Sequence, residues 1–166
     1  EDLFFKGVRV MKAGPQKRTF CCGTTLEVFL RAYTKWVDKY GESKEIGLTP
    51  DSWDRFRTDW FVREVNGPGP SAALENFGLG HEIEREDVLP GDFVQIWRRH
   101  KPEKDHGSGH SVIFLDWVKD EEGKITGLRY WSTQRSTDGI GFHTEPIGEE
   151  EGIDPEQIYA VRPGHP

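Results

Sequence analysis

Two adjacent thiols and one distant imidazole are the groups in this chain whose types and spacing fit covalent chemistry. Cys21 and Cys22 fall in Lys17-Arg18-Thr19-Phe20-Cys21-Cys22-Gly23-Thr24-Thr25, and they are the only cysteines. Far downstream, Gly107-Ser108-Gly109-His110 leads into the apolar run Val112-Ile113-Phe114-Leu115. A thiol ordinarily ionises near about 8.5, so a cysteine that attacks carbonyls near neutral pH needs a neighbouring imidazole and a helix start to hold it as thiolate. A cysteine opening a helix, followed by a histidine at the mouth of a strand, meets that requirement and points to amide cleavage or acyl transfer.

The elements that must position these groups are legible in the periodicity. Leu26, Phe29, Leu30, Tyr33, Val37 and Tyr40 recur at helical spacing, and Gly41 is placed to end the helix. Extended back by four residues, the stripe reaches Cys22, whereas Cys21 extends the flank of Thr25, Val28 and Ala32. Cys22 is therefore the expected nucleophile, facing the body of the protein. Thr24-x-x-Glu27 reads as a capping box that starts the regular helix just after it.

Downstream, Thr49-Pro50-Asp51 predicts a second helix carrying Trp53, Phe56 and Trp60 to about Glu64, and Ser71 to Asn76 a short third one. Phe4 to Lys12 alternates weakly, as one strand. The second half predicts strands at Phe93 to Arg98, Ser111 to Val118, Ile125 to Thr133, Phe142 to Ile147 and Gln157 to Arg162, with Asp120-Glu121-Glu122-Gly123 as a hairpin turn. The expected fold is one α+β domain over 1–166, with a mostly antiparallel sheet of about five strands and the cysteine helix packed on it.

A third polar group should orient the imidazole. If the hairpin turns at Glu121 and Glu122, His110 faces Thr133, give or take one residue, so Ser132, Thr133 and Gln134 are the candidates. Gln134 is favoured, because its amide oxygen is a good acceptor with long reach.

Composition narrows the alternatives. A net charge of −7 argues against a nucleic-acid partner, which needs clustered cations. No apolar run approaches the ~20 residues of a membrane span. Neighbouring cysteines have alpha carbons only about 3.8 Å apart, below the disulfide range, and lack zinc-site spacing, so neither a structural bridge nor a metal is expected. His106 and His110 are four apart, but the intervening glycines oppose a helix that would aim both at one metal. Trp53, Phe56 and Trp60 read as core rather than as a sugar-stacking face, and Glu149-Glu150-Glu151 as a solvated loop. No cofactor is called for, and a monomer is expected.

The ordered words Cys21-Cys22-Gly23-Thr24, Pro90-Gly91-Asp92-Phe93 and His110-Ser111-Val112-Ile113 resemble the NlpC-like and CHAP-like branch of the papain-like cysteine peptidases and amidases, over about residues 15 to 135. In that branch a D-C-S-G word opens the catalytic helix, P-G-D opens a strand, H-V-G-I carries the histidine, and a polar residue on the next strand completes the triad. Here Cys21 replaces the aspartate, and Gly23-Thr24 the Ser-Gly. The resemblance implies a papain-like fold and hydrolysis through Cys22, His110 and a polar third residue, with a peptide or cell-wall peptide stem as substrate and a secreted or cell-envelope location. It further implies, from papain-type spacing, that Gln16 is a candidate oxyanion donor. The competing class is a non-catalytic module binding peptide or glycan on the same fold. Acyl transfer and lipid-ester cleavage are further readings.

Overall fold

The computed structural model describes residues 2–14, 19–41, 48–49, 51–62, 64–99, 108–148 and 152–164. Its elements run β1 (Leu3–Phe5), β2 (Val8–Met11), α1 (Cys21–Tyr40), α2 (Trp53–Trp60), α3 (Pro70–Asn76), β3 (Gly80–Ile83), β4 (Phe93–Arg98), β5 (Ser108–Lys119), β6 (Ile125–Gln134), β7 (Gly139–Pro146) and β8 (Ile153–Pro163). The architecture is α+β. Six strands form one antiparallel sheet in the order β3-β8-β4-β5-β6-β7, and β1 and β2 form a separate hairpin.

Several expectations are refined. The weakly alternating N-terminal segment is two strands, because Lys6 and Gly7 both take positive φ and reverse the chain. The sheet has six strands rather than about five; β3 is too short and polar to show periodicity and exists through its pairing with β8. Helix α2 stops at Trp60, four residues early, where Val62 enters the left-handed region. Helix α1 begins at Cys21 itself, with Phe20 as a cap that makes no side-chain hydrogen bond, so the Thr24-x-x-Glu27 box does not form. Thr24 reaches across to the sheet instead, and Glu27 pairs with Arg31 one turn on.

Helix α1 is held by aromatic packing. Phe29 stacks on Phe56 at 5.5 Å and meets Trp60 at 5.3 Å, and Trp60 meets Phe93 of β4 edge-on at 5.4 Å. Phe56 and Trp60 are fully buried and Trp53 nearly so, which is the core role expected of this stripe. Trp60 also fixes the start of α1, because its indole N–H donates to the Cys22 carbonyl at 3.1 Å and lies 3.3 Å from Thr25 Oγ1. The Pro90-Gly91-Asp92 word is a structural turn. Buried Asp92 accepts from the Leu89 N–H at 2.7 Å and from Arg162 of β8 at 3.0 and 2.9 Å, which ties the entrance of β4 to its neighbour.

The second core cluster lies around β4, β5 and β6 and contains Val94, Ile96, Val112, Phe114, Leu128 and Tyr130. Beside it, Arg98 and buried Glu145 form an ion pair across strands, with Arg98 Nη2 2.7 Å from Glu145 Oε2, and the Tyr130 hydroxyl donates to the same oxygen at 3.0 Å. Burial pushes the Tyr130 hydroxyl up, and the adjacent Glu145 carboxylate adds to it. Removing the cation would leave a carboxylate buried without its counter-ion. Arg98→Ala is expected to cost about 3 kcal/mol of stability, read as a lower urea midpoint, whereas an unchanged midpoint would show the pair to be inert.

Candidate functional site

The histidine is set by its strand. Gly109 packs against the indole of Trp97, where an added Cβ would sit 2.8 Å from the ring, so only glycine lets β5 pass this close. His110 follows, opposite Ile96 of β4, 6% exposed and edge-on to the Tyr130 ring at 5.5 Å. Ser111 alternates to the other face and meets helix α1, its hydroxyl 3.0 Å from Thr25 Oγ1.

The β5–β6 ladder pairs Ile113 with Trp131, its last pair toward this end, and then opens. Beyond it the Ser132 hydroxyl takes the Ser111 carbonyl at 2.7 Å, and the Ser111 N–H approaches the thiol of Cys21. The Cys21 sulfur thus lies at the open end of the ladder, close enough to the His110 ring for the imidazole to favour its ionised form.

The structure therefore brings Cys21, not Cys22, to His110. The apolar stripe of α1 does carry Cys22 toward the body of the protein, where it packs against the aromatic core. That core is not where the histidine lies. The flank of Thr25 meets Ser111, and Cys21, one turn before Thr25, lies over the same stretch of β5.

The two thiols share a proton unequally. The Cys21 thiol is lowered to about 4, first because the Cys22 thiol donates to it, then because His110 bonds and attracts it and the Ser111 N–H points at it, all against the opposing effect of burial. Cys22 is pushed up by donating to Cys21, by burial and by the adjacent negative sulfur. The position of Cys21 in the first turn of a 20-residue helix favours the same ionisation. The site so described holds a thiol favoured in its thiolate form, a buried imidazole and a neighbouring thiol favoured in its protonated form.

Of the three candidates for orienting the imidazole, two hydroxyls are occupied. Ser132 bonds the Ser111 carbonyl, and Thr133 Oγ1 lies 2.6 Å from Thr24 Oγ1. Gln134 remains: its amide nitrogen donates to Thr137 Oγ1 at 3.0 Å and to the Gly141 carbonyl at 3.3 Å, while its Oε1 is buried without a partner. His110 Nε2 is likewise buried and unpaired. The register of Ile113↔Trp131 and Phe114↔Tyr130, carried on, sets residue 134 opposite residue 110. Gln16, His100, His106, His165 and Glu149-Glu150-Glu151 lie outside the described residues.

Among the described residues no group of three His, Cys, Asp or Glu side chains is gathered as for a metal, and no helix is long and apolar enough to cross a membrane. An apolar cavity of about 230 Å³ between Phe29, Tyr33, Trp36, Phe93 and Pro163 lies on the core side of α1 and includes neither Cys21 nor His110 in its lining. No known family profile, curated protein or solved structure matches the chain.

Proposed function

We propose that this protein is a cysteine hydrolase in which Cys21 is the nucleophile and His110 the general base and acid. The observation that carries the reading is the placement of Cys21, at the start of α1 and in the open end of the β5–β6 ladder, against the buried His110. His110 accepts the Cys21 proton, and the thiolate adds to an amide carbonyl. The oxyanion is met by backbone N–H groups of the first turn, such as that of Cys21, which have no acceptor within the helix. The imidazolium then protonates the departing amine as the carbonyl re-forms to a thioester, and water, deprotonated by His110, releases the acid and the free thiol.

Gln134 is the third member in this proposal. Its unpaired Oε1, an acceptor, and the unpaired His110 Nε2, a donor when protonated, are complementary and sit at positions that the strand register sets opposite each other. The resemblance to the NlpC-like and CHAP-like enzymes supports the reading when their D-C-S-G word is set on Phe20-Cys21-Cys22-Gly23. Cysteine and glycine then both match, and Cys22 takes the place of serine, another donor.

Incubation with peptidoglycan sacculi and with denatured casein, followed by mass spectrometry, tests the activity and separates substrate classes. New amino termini together with an acyl adduct on the Cys21 peptide after acid quench are the expected result. Intact substrates with no adduct on Cys21 in either mixture would leave the alternative, a module that binds peptide or glycan without cleaving it.

A further inference from the structure

The face of the sheet that receives the start of α1 continues past it, uncovered, onto β7. Thr24 is bonded to Thr133, and Thr133 is paired across the ladder with Ile140, so Ile140 shares the face of α1. Phe142, paired with Trp131, lies on the same face one step along. Both are open to solvent, Ile140 at 56% and Phe142 at 63%. Helix spacing from Cys21 to Thr24 and strand spacing from Thr133 to Ile140 are each about 5 Å, and the Thr24–Thr133 contact, 2.6 Å between hydroxyls, joins them, so Ile140 stands on the order of 10–15 Å from Cys21.

Strand β7 is an outer strand of the sheet. Edge strands are commonly blunted by lysine, by proline or by an inward charge in search of water. Gly139-Ile140-Gly141-Phe142-His143-Thr144-Glu145 carries no lysine, its only proline is the final Pro146, and its one acid, Glu145, is consumed by Arg98 and Tyr130. The exposed side chains Ile140, Phe142 and Thr144 are uncharged. Across the ladder, Arg129 opposite Thr144 is an exposed cation at the far end of the strip, while the net charge of −7 disfavours an acidic partner on the protein as a whole.

We propose that Ile140 and Phe142 form an apolar subsite for the substrate of the Cys21 site, and that the preferred substrate is an extended peptide with a bulky apolar side chain about three to four residues from the scissile bond. The separation follows from the ~10–15 Å above and a rise of about 3.3 Å per extended residue. This inference rests on the hydrolase reading. It narrows the substrate class from peptides in general to apolar ones and away from acidic stem peptides.

Chloromethyl ketones test it, because the thiolate forms a sulfur–carbon bond as the carbon–chlorine bond breaks and chloride leaves with its electron pair. Labelling rates of Cys21 would be compared for N-acetyl-Phe-Gly-Gly chloromethyl ketone, its Glu-Gly-Gly counterpart, and iodoacetamide, which reaches no subsite. The Phe reagent is expected to react at least about 10-fold faster than the Glu reagent. That ratio should fall to near one in Phe142→Ser and Ile140→Ser while their iodoacetamide rates hold. Fast iodoacetamide labelling with equal ketone rates, or a preference that survives both substitutions, overturns the subsite alone. Slow iodoacetamide labelling of the wild type overturns the hydrolase reading and the subsite with it.

Discussion

Cys21→Ala is expected to abolish amide turnover and the thioester adduct, a fall of at least about 10⁴-fold, because no other group near His110 can take over as nucleophile. The neighbouring thiol, one residue away, should behave differently. Cys22 packs against the aromatic core and acts on Cys21 as a donor. Cys22→Ser keeps a donor of similar size and should retain most activity. Cys22→Ala removes the largest contribution to the low Cys21 pKa, so its pH optimum should move upward while turnover survives at alkaline pH. The measurement is initial rate against pH for the three variants on one cleaved peptide. Loss of turnover at every pH in Cys22→Ala, with activity left in Cys21→Ala, would return the role of nucleophile to Cys22.

His110→Ala is expected to shift the reactivity of Cys21 along the pH axis rather than only reduce it. With Cys21 lowered to about 4, its thiolate is nearly fully formed at pH 6, and alkylation by iodoacetamide should fall only as pH drops through about 4. A lowered pKa places the reactive form above that value, so the sign of the change on losing a stabilising group is an upward move of the midpoint. A thiol returned to about 8.5 is only about 0.3% ionised at pH 6, so labelling there should drop by up to about 300-fold. The remaining Cys22 and Ser111 donors would make the fall smaller. Site-resolved mass spectrometry of both cysteines across pH reads the result. Superimposable wild-type and mutant profiles would remove His110 from the mechanism.

Much of the fold was legible because its signals are local. The stripe from Leu26 to Tyr40 and the terminal Gly41 define α1, and the turn at Asp120 to Gly123 sets β5 against β6 closely enough to nominate Gln134. The thiol beside the histidine was legible only as one of a pair. Periodicity tells which thiol faces the core, but the core it faces is the aromatic layer of α2, and the neighbouring flank meets Ser111, next to the histidine in β5. Resolving the pair requires knowing that Ser111 meets Thr25, a tertiary contact with no trace in spacing. The capping box misled for the same reason: Thr24 has a better partner in Thr133, 109 residues away, than in its own backbone. The short β3 exists only because β8 is there to pair with it.

The indole of Trp60 on the Cys22 carbonyl has a consequence for heat tolerance. Helix starts fray easily, yet here the turn that bears the sulfur is splinted by a side chain from a helix that supplies no reacting group. The aromatic layer therefore holds the start of α1 by contacts separate from the strand pairing of the sheet. Loosening α2 is expected to free the turn that bears Cys21 while the strands behind His110 are still paired, so on heating the reactivity of Cys21 should be lost before the sheet melts.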